Sequence, residues 1–170
     1  MIDGESTRLR EPRDTDLGVL GVLRNDLALQ RQLLARPRPN SAGRVREWVD
    51  RVSAREDAVF FVIADLADQP LGFVQVVGID TVNGHGSLGI ALVVDARGAG
   101  HGPEAIAMVG TYLREVFGLR KLVLEVAADN AAAIGAYREV GFVDVGVLAQ
   151  HVRSGAGFVD VLIMERLLTP

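Results

Sequence analysis

The chain has 170 residues, 49% hydrophobic and 24% charged, which fits one globular domain that buries its own core without a metal or disulfide staple. It has no cysteine, so disulfides, thiolate nucleophiles and cysteine-ligated metals are excluded together. The formal net charge of −4 argues against a broad nucleic-acid surface but leaves room for a local anion site.

No basic segment followed by an apolar run opens the sequence, and no apolar stretch reaches the roughly 18 residues of a membrane helix. The expectation is a cytoplasmic protein with no membrane partner. Thr7 to Glu11 alternates up to Pro12 and predicts a short first strand. Asp14 or Thr15 is placed to cap a helix carrying Leu17, Leu20, Leu23 and Leu27, which Arg36-Pro37-Arg38-Pro39-Asn40 breaks. Ser41 caps a second helix with Val45, Trp48, Val49 and Val52 at helical spacing. Ala58 to Ala64 and Leu71 to Ile79 predict a hairpin turning at Asp68-Gln69-Pro70, and Ser87 to Val94 predicts a third strand. A helix follows from Gly102 or Pro103 to Phe117-Gly118, then a strand over Lys121 to Val126. A short helix opens at Asp129-Asn130, and two closing strands are expected over Phe142 to Leu148 and Phe158 to Met164. No linker divides the chain, so residues 1–170 read as a single domain. The fold class is mixed α/β, with a mostly antiparallel central sheet flanked by helices.

The most informative segment is Val93-Val94-Asp95-Ala96-Arg97-Gly98-Ala99-Gly100-His101-Gly102-Pro103. A strand runs into three alternate glycines and a helix starts at once. Glycine permits positive φ and close approach of a ligand to the backbone. The helix start adds unpaired N–H groups and the positive end of its dipole, so the combination suits phosphate. Arg97 and His101 are candidate side-chain donors. The nucleotide P-loop pattern is absent. Gly100-His101-Gly102-Pro103-Glu104-Ala105 satisfies the dinucleotide pattern G-x-G-x-x-A, with Glu125 beyond it. That fold, however, begins with its loop, and here the loop follows three antiparallel-looking strands.

A third pattern fits at two places. Arg97-Gly98-Ala99-Gly100-His101-Gly102 matches Q/R-x-x-G-x-G/A, and Asn130 to Phe142 matches N-x-x-A-I-x-x-Y-x-x-x-G-F. On these residues the chain resembles the GNAT superfamily of N-acetyltransferases, and Ser87 to Leu92 is similar to the strand entering the loop in its ribosomal-protein branch. The resemblance is strong over about residues 86 to 146. It implies acyl transfer from acetyl-CoA to an amine by direct attack, with no metal. It further implies a GNAT-like splayed strand pair forming the acyl-CoA cleft. Backbone near Leu92, Val93 and Val94 would pair with the pantetheine arm, and Arg97, Gly98, Ala99, Gly100, His101 and Gly102 would hold the pyrophosphate. Asn130 is implied as a pantetheine partner as well as a helix cap. Pro103 departs from the family pattern and offers no N–H.

Tyr137 is the catalytic residue the resemblance implies, as the acid that protonates the leaving thiolate. The general base is not fixed by the motifs. Glu125 alternates out of phase with Leu122, Leu124 and Val126 and is the first candidate; His85 and His151 are further ones. The three histidines show no metal-ligand spacing. A non-catalytic acyl-CoA-binding module and a nicotinamide-dependent oxidoreductase are the alternative functions. The acceptor is open: protein N-termini, polyamines, amino sugars and small antibiotics all contain the required amine. Arg24, Arg31, Arg36 and Arg38 read as solvated, with an anionic or peptide acceptor as the other reading. A homodimer is kept as a candidate assembly, and no nucleic-acid partner is expected.

Overall fold

The computed structural model describes residues 1–168. Two short antiparallel strands, β1 (Ile2–Asp3) and β2 (Arg8–Arg10), open the chain; the sequence pattern predicted only the second. The single helix expected through Leu27 is two, α1 (Leu17–Asn25) and α2 (Leu27–Gln32). Asp26 between them is extended, and its carboxylate accepts the N–H groups of Ala28 and Leu29 at 2.9 and 3.0 Å. A side chain that caps a new helix start ends the old one, although the leucine spacing runs on across the break. Ser41 caps α3 (Ala42–Ser53) through the Arg44 N–H at 3.3 Å, as expected.

The central strands are β3 (Ala58–Ala64), β4 (Pro70–Asp80) and β5 (His85–Leu92). A 3₁₀ turn over Val94–Ala96 and the glycine loop lead into α4 (His101–Phe117). There follow β6 (Lys121–Ala127), α5 (Ala131–Glu139), β7 (Val143–Ser154) and β8 (Gly157–Leu167). The last two strands run well beyond the expected stretches, and Phe142 is a buried core residue before β7 rather than its start.

One sheet holds all eight strands in the order β1-β2-β3-β4-β5-β6-β8-β7. Among the described residues only β5 and β6 pair in parallel. One face carries α4, whose Ile106, Val109 and Leu113 bury against Val74, Leu122 and Leu124. The other carries α1 and α3, whose Leu20, Leu23, Val45 and Val49 pack on Phe60 and Phe73. Trp48 of α3 meets those two rings edge-on at 5.3 and 5.1 Å. Apolar side chains alternating between the two faces of β3 and β4 make both layers adhere to one sheet. Among the described residues no helix is long and apolar enough to cross a membrane.

Candidate active site

β5 and β6 pair only at His85 with Lys121, Gly86 with Leu122 and Ser87 with Val123. Beyond that point each strand follows its other neighbour: β5 stays with β4 as far as Leu92, and β6 with β8 as far as Ala127. The two therefore fork, as the resemblance implied. The Val93 N–H donates to the Leu71 carbonyl at 2.9 Å. In an antiparallel ladder successive residues direct their backbone groups to opposite edges, so Ile90 and Leu92 direct theirs into the fork. This corrects the expectation for Val93, whose N–H belongs to the β4 ladder. Val94 leaves the strand altogether and enters the 3₁₀ turn. Across the fork, the Ala128 N–H bonds to the Asp160 carbonyl at 2.9 Å, which by the same alternation turns the backbone of Glu125 and Ala127 toward the gap.

The glycine loop lies at the open end of the fork. Gly98 and Gly100 have φ of +76° and +87°, and a Cβ at either would meet nothing within 4 Å. Among the described residues, the N–H groups of Gly98, Ala99, Gly100, His101 and Gly102 have no partner in the protein. They converge with the start of a 17-residue helix, where the dipole adds positive potential. Arg97 differs from its expected part. Its N–H goes to the Val94 carbonyl at 3.1 Å and its Nε to the Leu92 carbonyl at 3.0 Å, so it braces the end of β5. His101 Nδ1 lies 3.0 Å from Oγ1 of the buried Thr7, which ties the first residue of α4 to the N-terminal segment.

Glu104, one turn further along, was not singled out by its motif. Its carboxylate takes the N–H groups of Glu5 and Ser6 and the Ser6 hydroxyl, the last at 2.6 Å. Burial alone would raise its pKa, but the hydrogen bonds from Ser6, Thr7 and Glu5 outweigh that and hold it at about 2.

Asn130 accepts the Ala133 N–H at 3.3 Å and caps α5, as predicted; its side-chain amide N–H groups make no hydrogen bond within the described residues. Tyr137, on the same helix, is half-buried against Phe142 with ring centroids 5.8 Å apart. Burial pushes its phenol up to about 12, so the hydroxyl keeps its proton at any working pH. Glu125 is exposed, on the sheet face opposite α4 and α5, with no ion pair among the described residues. His85 stands where β5 and β6 are still paired, roughly 16 Å before Ile90 at 3.3 Å per residue, outside the fork. His151 is exposed in the irregular part of β7. Gln75 was missed. Its Oε1 is buried without a partner on the α1 and α3 face of β4, opposite Gly89 of β5. Its signal was available: it is the one polar side chain in the run from Leu71 to Ile79. Among the described residues no cluster of three histidines or carboxylates could hold a metal.

A cavity of about 430 Å³ opens at the end of β6. Its walls are α2, with Ala28 and Arg31, the turn from Ala127 to Asn130, and the β7–β8 hairpin, with Val152 and Arg153. A cleft of about 490 Å³ lined by Arg13, Asp14, Arg46 and Phe61 lies beside β3, away from the fork.

Residues 7–143 match the family model of the acetyltransferase (GNAT) domain. An SPbeta prophage-derived uncharacterized N-acetyltransferase, YokL, of Bacillus subtilis is 24% identical over 157 residues, covering 92% of this chain and 87% of that protein. Spermidine N(1)-acetyltransferase of Vibrio cholerae is 27% identical over 101 residues, 59% of this chain and 58% of that one. The crystal structure of the Vibrio cholerae spermidine N-acetyltransferase with CoA and spermine shares the fold, with a TM-score of 0.89 over 97% of both chains at 23% identity. The chain belongs to the GNAT acetyltransferases, and its chemistry is acetyl transfer from acetyl-CoA to an amine. The dinucleotide reading falls, because the loop follows antiparallel strands instead of opening a parallel half.

Proposed function

We propose that in this GNAT enzyme residues 1–170 act as one catalytic unit. In this reading the fork between β5 and β6 takes the pantetheine arm, the N–H groups of Gly98 to Gly102 hold the pyrophosphate, and Tyr137 is the acid. The observation that carries the reading is the set of five unpartnered N–H groups at the end of the forked strands. Open space above Gly98 and Gly100 fits an anion seated on them.

When bound, acetyl-CoA supplies a thioester carbonyl for attack by the acceptor amine. The N–H groups of Ile90 and Leu92 face the fork and are placed to donate to the carbonyl oxygen as negative charge develops on it. The Tyr137 hydroxyl gives its proton to sulfur as the carbon–sulfur bond breaks. Glu125, directly or through water, accepts the proton that the amine loses. Gln75 Oε1 is an acceptor for an amine N–H on the same sheet face. Asn130 holds the pantetheine amides through its side chain.

Calorimetry and thermal melting test the donor site together. Acetyl-CoA and CoA raise the melting temperature by mass action and NAD does not. A shift with NAD and none with acetyl-CoA removes the assignment of the loop.

The assembly reading rests on β7, the edge strand of the sheet, whose Val143, Val145 and Val147 are 59, 55 and 58% exposed. An unpaired apolar edge of this length favours a second copy of the chain, so a homodimer is the proposed state. Sedimentation as a monomer at micromolar concentration removes it.

A further inference from the structure

The geometry points to an acceptor amine that carries its own anionic group, a carboxylate or a phosphate, held between Arg31 and Arg153 in the cavity at the end of β6. This rests on the fork as the site of acyl transfer. The donor's proposed path, from the glycine loop along β5, meets this cavity at Asn130, and the walls beyond it, α2 and the β7–β8 hairpin, are left for the acceptor.

The charges there are few. Among the lining residues Arg31, Asp129 and Arg153 are the charged ones, which leaves one net positive charge. Neither arginine makes an ion pair among the described residues. Arg153 stacks on the Phe158 ring at 5.0 Å, which restrains the guanidinium plane and leaves its N–H edge available. Arg31 occupies the last turn of α2 on the facing wall.

Asp129 is the one carboxylate in the cavity lining, and two further acids outside the lining accept backbone N–H groups. Asp26 is spent on capping α2, and Asp160 accepts the Gln150 N–H at 2.7 Å. On the inner side of α2, Arg24 bonds to Gln30 and lies 4.8 Å over the Trp48 ring, with its Nε buried and unpartnered. Burial, and after it the proximity of Arg38 and Arg51, lowers the pKa of Arg24, which stands behind α2 and outside the cavity lining. A polyamine has several ammonium groups and needs several free carboxylates; here it would meet two arginines and a single aspartate. The acceptor class of the spermidine-acetylating relative therefore does not suit this cavity.

The experiment uses the complex of the full chain with CoA, titrated calorimetrically with β-alanine, 2-aminoethylphosphonate, β-alanine amide and spermidine. A charge-assisted hydrogen-bonded pair corresponds to about a 10–100-fold change in binding. The expected result is that one of the two anionic amines binds at least about tenfold tighter than β-alanine amide and spermidine, and the tighter of the two identifies the group as carboxylate or phosphate. Arg153→Gln and Arg31→Gln should each erase the preference while leaving the acetyl-CoA affinity as it was. Equal binding of the four amines, tighter binding of spermidine, or arginine variants that weaken acetyl-CoA instead would overturn the inference. Failure of wild-type protein to bind acetyl-CoA at all is a different result, and it removes the proposed donor site on which the inference rests.

Discussion

The Glu104 carboxylate, in the first turn of α4, accepts the Ser6 hydroxyl at 2.6 Å and so fastens the glycine-loop helix to the turn between β1 and β2. The link sets the position of the helix whose N-terminus faces the proposed pyrophosphate site. It is also pH-sensitive. Hydrogen bonds depress the Glu104 pKa from an ordinary 4.5 to about 2, so its stabilising contribution is complete above pH 4.5 and fades as pH falls from there toward 2. Discounted for solvent screening, Glu104→Gln should cost about 1–2 kcal/mol at pH 7. Thermal melts of both proteins between pH 7 and 3 should show the difference shrinking below pH 4.5. A difference independent of pH would mean that shape, not charge, holds the link.

The three loop glycines are not equivalent. Gly100 has φ of +87°, so Gly100→Ala is strained and should lose about 1 kcal/mol of stability. Gly102 has no positive φ, and a Cβ there lies in ordinary contact, 3.6 Å from Leu92 Cδ1. Gly102→Glu should therefore stay folded while its carboxylate repels the pyrophosphate. Calorimetry should find a large loss of acetyl-CoA affinity in a variant with near wild-type melting; unchanged affinity would move the anion site elsewhere.

What the sequence made legible was local. The glycine loop and the Asn130 cap are contiguous patterns whose chemistry needs neighbours in the chain. Ala58 to Ala64 was bounded correctly because a short apolar run flanked by charged residues has little choice. The break at Asp26 was hidden because Leu27 continues the helical spacing, although it ends 50% exposed. The true length of β7 was hidden by its irregularity, where Gln150 takes φ of +48° and the alternation changes phase. The direction of Val93 depends on which residues of β5 bond to β4, and no pattern within β5 fixes that phase.

Below the N-terminal strands, Arg10 and Asp16 form a bidentate pair at 2.7 and 2.9 Å, both side chains almost fully buried. Asp16 also accepts the Arg13 N–H at 2.7 Å, and Arg10 reaches the Asp68 carboxylate. The Arg10 pKa is raised, chiefly by its hydrogen bond to Asp16. Removing one partner strands a buried charge. Asp16→Ala should cost about 3–5 kcal/mol, on the order of 10 °C in melting temperature for a chain of this size. A loss below about 1 kcal/mol in chemical denaturation would show that water or Asp68 replaces the pair.

Tyr137 is the residue on which the proposed chemistry depends most. Its phenol, packed beside Phe142, is pushed up to about 12 by burial. An acid that must protonate a thiolate has to keep its proton while the acceptor amine loses one. The raised pKa permits both at once. Single-turnover rates should climb with pH as the amine deprotonates and show no downturn through pH 10. Because the folded-state pKa is raised, the same burial favours the native state below pH 10, and that contribution is lost as pH rises toward 12. Tyr137→Phe keeps the ring and removes the donor. Its single-turnover rate should fall about 10²–10⁴-fold, with acetyl-CoA affinity changed far less, because the hydroxyl acts mainly as the carbon–sulfur bond breaks. Following a single turnover avoids masking by slow product release. A Tyr137→Phe enzyme with the wild-type rate would show that the tyrosine only packs against Phe142 and that solvent protonates the sulfur.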